Sequence, residues 1–363
     1  MIYLDANASE PLRPEAYAAA IQAMEAGGNP ASLHLAGRRA RKILETAREQ
    51  VATFTSARPA DVIFCAGATE ANALAIHALG AGRPILIGAT EHDAVRAATP
   101  KALSIPVLPS GEIDLNALNV ALSQHHQPLV CLMAANNETG VLHDIKNIAQ
   151  LCATANALLH VDAVQAIGRA NQDWLGMGVT SFALSGHKFG GPPGGGALVI
   201  RSGIEMTPLI KGGGQELGRR GGTPALSAIA GLAAALGTAY EAEQITAHRD
   251  ELEAFCVENG ALVVGQNAPR LPNTSCLILP GVRAETQLIA LDMAGICVSA
   301  GSACSSGKVN ASHVLLAMGY DAQAGQAIRV SLPWNVTPED VHNFKIAYAS
   351  MAARTLQKGV QSA

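Results

Sequence analysis

An α/β fold built on a mainly parallel sheet, followed by a smaller α+β lobe, is what this sequence predicts. Three observations carry that prediction. Short apolar runs of strand length alternate with helix-length segments as far as residue 200. Parallel strands need crossover connections, and that rhythm supplies them. Past a glycine-rich region the rhythm changes to strands and helices of mixed order. The chain is also 363 residues long, 49% hydrophobic and 15% charged, which suffices for a large core and a companion lobe.

Strands are predicted at Val62 to Cys65, Pro84 to Gly88, Pro128 to Ala134, Leu158 to Asp162, Ser181 to Leu184 and Ala197 to Ile200. Between them the spacing predicts helices at Thr69 to Gly80, Asp114 to His125 and Ile145 to Asn156, each opening near a capping residue or a turn signal. One long helical stretch is predicted from Pro224 to Asn259, leading into the lobe. The lobe then reads as strands at Leu262-Val263-Val264 and Thr274 to Leu279, a helix over 284–294, a Gly/Ser loop, a strand over 327–332 and a last helix from Pro338. There is no internal repeat, and Gln357 to Ala363 read as a frayed end.

A net charge of -4 argues against nucleic acid as a partner. The start, Met1-Ile2-Tyr3-Leu4-Asp5, has no cationic leader, and no stretch approaches the ~20 apolar residues of a membrane span. A soluble, cytoplasmic protein without membrane contact is expected. The seven cysteines are scattered and never spaced Cys-x-x-Cys, so neither a disulfide framework nor a metal site is expected. Six sit among apolar neighbours and read as small buried hydrophobes. Cys304 differs, lying in Ser299-Ala300-Gly301-Ser302-Ala303-Cys304-Ser305-Ser306-Gly307, a small polar run that reads as an exposed loop.

The chemistry concentrates in a few segments. In Ser185-Gly186-His187-Lys188-Phe189-Gly190-Gly191 a lysine follows a strand and precedes a glycine-rich turn, where its amine can form a Schiff base with a cofactor aldehyde. Ser185 and His187 can donate to a phosphate on the same ligand. Leu158-Leu159-His160-Val161-Asp162 ends a strand in a carboxylate, at the edge where α/β sheets bind ligands. Asp162 against a pyridine nitrogen would keep it protonated, and Gln165 could hydrogen-bond a ring hydroxyl. Gly67-Ala68-Thr69-Glu70 opens a helix with exposed amides and the Thr69 hydroxyl, an anion site. His92, after another strand, could lie over an aromatic ring. Read singly, each has an ordinary alternative: a solvated lysine, a capping Asp, a cap-and-turn, a surface histidine. Together they point to a phosphorylated pyridine aldehyde.

These segments, with Gly28-Asn29-Pro30-Ala31-Ser32-Leu33-His34, Asn136-Asn137-Glu138-Thr139-Gly140, Gly212-Gly213-Gly214-Gln215-Glu216, Gly221-Gly222-Thr223-Pro224, Gly301 to Gly307 and Ile328-Arg329-Val330-Ser331-Leu332, resemble those of the NifS/IscS-type cysteine desulfurases, in order from residue 3 to about 345. The resemblance implies a class V aminotransferase of the pyridoxal-phosphate (PLP) transferase fold type I. A large domain with a seven-stranded-type, mainly parallel sheet would span 13–245, and a small domain would combine 1–12 with 246–363. It also implies a homodimer. PLP would sit on Lys188, with Asp162 at the pyridine nitrogen, Gln165 at the ring hydroxyl and His92 stacked on the ring. Thr69, Ser185 and His187 would hold the phosphate, joined by Thr223 from the partner subunit. Asn137 and Arg329 would hold the substrate carboxylate, for which a guanidinium fork is suited. Lys188, Cys304 and His92 would be the catalytic residues. L-cysteine would become L-alanine as Cys304 takes the sulfur as a persulfide and passes it to an acceptor, an iron-sulfur scaffold or a thiolation carrier.

Two segments depart from the family pattern. Asp5-Ala6-Asn7-Ala8-Ser9-Glu10-Pro11 replaces a run of threonines, and Ser331-Leu332-Pro333-Trp334-Asn335 replaces a glycine and a basic residue. The resemblance puts both near the active-site entrance, where they would bear on substrate fit and partner choice. Among rivals, a class V aminotransferase or selenocysteine lyase would keep Lys188 and Asp162 without needing Cys304. A non-catalytic PLP-binding regulator or scaffold is disfavoured because the full set of catalytic residue types is present. A nicotinamide oxidoreductase could be read from Gly212-Gly213-Gly214-Gln215-Glu216-Leu217-Gly218, but no strand-turn-helix frames it.

Overall fold

The computed structural model describes residues 1–170, 172–301 and 311–361, with side chains through Arg354. The chain opens with β1 (Ile2–Tyr3), α1 (Pro14–Ala26) and α2 (Leu35–Phe54). It then alternates through β2 (Val62–Cys65), α3 (Ala68–Leu79), β3 (Ile85–Gly88), α4 (Asp93–Arg96), β4 (Leu103–Ile105), α5 (Leu115–Gln124), β5 (Leu129–Met133), α6 (Ile145–Thr154), β6 (Leu158–Asp162), β7 (Ser181–Ser185) and β8 (Gly196–Ile200). After α7 (Leu226–Leu236) and α8 (Ala242–Glu258) come β9 (Leu262–Val263), β10 (Thr274–Ile278), α9 (Ala284–Met293), β11 (Ile296–Cys297), β12 (Ser299–Ala300), α10 (His313–Ala317), β13 (Ala327–Ser331) and α11 (Pro338–Gln361).

The central sheet has the order β2-β8-β7-β6-β5-β3-β4. Only β8 runs against its neighbours, because the short Gly-rich link after β7 permits a reversal and not a crossover. Apolar residues alternate between the two faces. Val62 and Phe64, Val130 and Leu132, Ala197 and Val199 join one buried cluster. Ile63 and Cys65, Leu129 and Cys131, Leu198 and Ile200 join a second under α3. A sheet covered on both faces reads as unbroken apolar runs, which is why these strands were legible.

The expected single helix over 224–259 is in fact two, α7 and α8. Gly237 closes the first, and α8 begins after a turn at Thr238–Glu241. The α+β lobe carries an antiparallel sheet of order β12-β13-β10-β9 packed on α8, α9 and α11. The amino-terminal strand β1 pairs in parallel with β11, and Ala6 N–H donates to Ser331 O, so the first residues are laid along the lobe. Among the described residues no helix is long and apolar enough to cross a membrane.

Candidate active site

The carboxyl ends of β2, β3, β5, β6 and β7 open onto one edge of the sheet, where doubly covered α/β folds hold ligands. A cavity of about 940 Å³ lies there, lined by Thr69, His92, Asn137, Asp162, Gln165, Ser185, His187, Lys188 and Arg329. Nine of the residues singled out from the sequence therefore meet in one place. Thr223 is exposed and does not line this cavity. Cys304 lies outside the described residues.

Lys188 ends a single 3-10 turn, Gly186–Lys188, that follows β7 directly. Its Nζ donates to the carbonyls of Asn7 (2.8 Å) and Ala8 (3.0 Å). Burial draws its pKa down to about 8, and the nearby Arg329 and Arg169 charges add to the effect. A large share of the amine is thus neutral just above physiological pH, as a nucleophilic lysine requires.

Asp162, at the end of β6, is buried, and burial pushes its carboxyl up from the usual range. Two donors oppose that shift: Asn72 Nδ2 at 2.7 Å to Oδ2 and Val164 N at 3.1 Å to Oδ1. Asn72 in turn is fixed from behind. Its Oδ1 lies 2.9 Å from His160 Nε2, and His160 Nδ1 lies 2.8 Å from Ser181 Oγ. Because Asn72 turns its amide toward a carboxylate, its oxygen must accept from His160 Nε2–H, and Ser181 donates to Nδ1. Burial takes the His160 pKa down to about 4, so this ring is neutral and holds that tautomer. Sequence reasoning placed Asn72 and His160 in motifs without giving either a role.

Also on the cavity, α3 starts without a side-chain cap, leaving its first amides and the exposed Thr69 hydroxyl facing outward. Gly67 and Gly196 touch here. A Cβ on Gly196 would come within 2.5 Å of Gly67 Cα, so only glycine lets β8 meet this turn. Ser185 Oγ is close to the same turn. His187 Nδ1 lies 3.3 Å from Ser9 Oγ, and burial with the Lys188 charge lowers its pKa to about 4. His92 caps α4, its Nδ1 accepting from Ala94 N at 3.1 Å, which sets the orientation of an otherwise exposed ring.

Arg329, from β13 of the lobe, brings a buried guanidinium to the cavity. Nη2 pairs with Asp5 Oδ1 at 2.7 Å and Nη1 donates to Asn137 O at 3.0 Å, while Nε has no partner among the described residues. Glu138 lies beside it, its Oε2 accepting from Ser312 Oγ at 2.5 Å, and burial raises its pKa. Asn7 ties these parts together. Its carbonyl accepts from Lys188 and from Gln165 Nε2 (3.1 Å), and its side chain reaches Arg169, Thr274 and Asn137 O.

The sequence profile described as Aminotransferase class-V matches residues 2–344. The chain belongs to the aminotransferase class-V family. It is 39% identical to a cysteine desulfurase of Cereibacter sphaeroides over 93% of this chain and 92% of that protein. An IscS-like cysteine desulfurase of Mycobacterium tuberculosis is 35% identical over 94% of this chain and 93% of its own length. The crystal structure of a NifS-like protein from Rickettsia africae superposes with a TM-score of 0.91 at 34% identity, covering 97% of this chain and 99% of that one. Within class V the chain falls among the NifS/IscS-type desulfurases, and its architecture is fold type I.

Proposed function

We propose that this class V enzyme converts L-cysteine to L-alanine with pyridoxal 5'-phosphate on Lys188, and that Cys304 receives the sulfur. The observation that supports it best is the meeting, in one cavity, of an amine drawn down to about 8 and a buried, doubly hydrogen-bonded Asp162. The cavity residues fit PLP. Asp162 suits a pyridinium, the uncapped start of α3 with Thr69, Ser185 and His187 suits a phosphate, and His92 is placed to cover the ring. Bound there, PLP supplies an electron sink for charge developing at the substrate α-carbon.

The chain's own groups then divide the work. Arg329, whose buried side chain lines the cavity, and Asn137 hold the substrate carboxylate. Gln165 meets the ring oxygen. The Lys188 amine, its pKa drawn down to about 8, would take the α-proton as general base and hold it for return to the substrate as alanine forms. The Cys304 thiolate attacks the substrate sulfur; the S–S bond forms, the C–S bond breaks, and the atoms of L-cysteine leave as alanine plus one persulfide sulfur. The exposed Thr223 serves the phosphate site of a second copy in a homodimer. A large PLP domain of 13–245 and a small domain of 1–12 with 246–363, action in the cytoplasm, and passage of sulfur to an iron-sulfur scaffold or thiolation carrier complete the proposal.

The test is to supply the purified protein with PLP, L-cysteine and a thiol reductant and to quantify alanine and sulfide. Equal amounts of both, lost in Lys188→Ala and in Cys304→Ala, are expected. Alanine or another amino-acid product without dependence on Cys304 would assign a different class V reaction.

A further inference from the structure

The two segments that depart from the family pattern touch each other. Glu10 Oε1 accepts from Trp334 N at 2.7 Å, Trp334 Nε1 donates to Pro11 O at 3.0 Å, and the Arg13 guanidinium lies 4.9 Å from the centre of the Trp334 ring. Asp5, Asn7 and Ala8 of the first segment line the cavity, whereas Glu10 and Trp334 do not. They form a buried support beneath it.

The core of that support is an ion pair. Glu10 Oε2 meets Arg169 Nη2 at 2.5 Å, and both side chains are only 1% exposed. Arg169 Nη1 also donates to Gln165 Oε1 at 2.6 Å and to Asn7 Oδ1 at 3.1 Å. A guanidinium has no acceptor, so it admits only the oxygen of the Gln165 amide. The nitrogen end of that amide is thereby turned to Asn7 O, at 3.1 Å, with a second N–H left for the cavity that Gln165 lines. Asn7 O is also the acceptor for Lys188 Nζ. One buried pair therefore sets the orientation of the ring-facing amide.

We propose that Glu10 and Arg169 are positioning residues that present Gln165 to the cofactor ring as a hydrogen-bond donor. Glu10 neutralises Arg169 and is itself held by the Trp334 amide, so the acid at position 10 and the changed backbone at 333–334 work as a unit. A buried charge left alone would be costly, which explains why the acid accompanies Arg169 here. This inference rests on the PLP reading above.

The test is a double-mutant cycle in protein loaded with PLP, reading the intensity of the cofactor band near ~420 nm at fixed pH together with kcat and KM for L-cysteine. Wild type must first show a band that Lys188→Ala removes; its absence would sink the PLP reading and this inference with it. Glu10→Gln with Arg169→Met removes both charges yet keeps an acceptor for the Trp334 amide. The pair variant is expected to weaken the band and lower kcat about tenfold, with KM changed less than about twofold. On the Gln165→Leu background the same pair change is expected to add almost nothing, since its effect travels through that amide. Additive losses in the two backgrounds, or a band and kcat unchanged by the pair variant, would overturn the proposal. Should the pair variant fail to unfold cooperatively, Arg169→Lys, which keeps the charge but loses the fork, runs the same cycle with the same expected non-additivity.

Discussion

Replacing Asn72 with leucine tests the network behind Asp162. Asn72 is fully buried, and leucine keeps its branching at Cγ while replacing both polar atoms with bulkier methyl groups. What goes is the 2.7 Å bond to Asp162 and the 2.9 Å bond from His160. His160 Nε2–H then has no partner in the interior, and Asp162 keeps only Val164 N–H. Each stranded group costs about 1–3 kcal/mol, so a loss of roughly 3 kcal/mol is expected, Asp162 being partly relieved by the cavity. The Asp162 carboxyl also loses a contact that holds its pKa down and moves further up, which weakens its hold on a pyridinium. Urea unfolding of the cofactor-free protein measures the first effect, and PLP titration the second. The double variant Asn72→Leu, His160→Phe should lose less than the sum of the two single changes, because both ends of one bond are gone. A loss under about 1 kcal/mol with unchanged PLP affinity would refute the network's role.

Glu216→Ala removes the carboxylate that binds Arg48 through both oxygens at 2.7 and 2.8 Å, leaving Arg48 only Glu45 and the Val62 carbonyl, and removes the acceptor for Phe64 N. A drop of about 3–5 kcal/mol in denaturant unfolding is expected, with Glu216→Gln falling between. Gly196→Ala drives a methyl group onto Gly67 Cα and should weaken PLP binding by about tenfold, or ~1.4 kcal/mol, in a direct titration. Lys188 reacts only as the neutral amine, and its pKa is lowered to about 8, so its protonated form dominates below that pH and the free amine above. The rate of PLP capture by the cofactor-free protein should therefore rise with pH and level off past about 8, whereas a rate still climbing near the usual lysine value of about 10.4 would contradict the shift.

The parallel strands were readable because burial on both faces leaves them as unbroken apolar runs. β4 was not: its three residues form an edge with Leu103 and Ser104 exposed, too short and too mixed to signal a strand. Helices α1 and α2 gave no prediction either, α1 being an alanine-rich stretch with little contrast between its faces. The split of α7 from α8 turned on Gly237, whose neighbours are helix formers on either side. In the site, residues that face the ligand were found because their chemistry is peculiar to it. The supports behind them, Asn72, His160, Arg169 and Asn7, act by long-range geometry. Asn7 lies 181 positions from Lys188 in the chain, and no local pattern announces that contact.

Of the seven thiols, Cys304 is the one proposed to take the sulfur. Cys65, Cys131, Cys152, Cys256 and Cys276 are buried, and burial raises each thiol above its ordinary value, so none offers a ready thiolate. The direct measurement is to treat the PLP-loaded protein with L-cysteine in the absence of reductant and acceptor, alkylate, and map the peptides by mass. One additional sulfur on Cys304, formed in step with alanine, is the expected result. Alanine formed with the sulfur on another cysteine, or on none, would contradict the account.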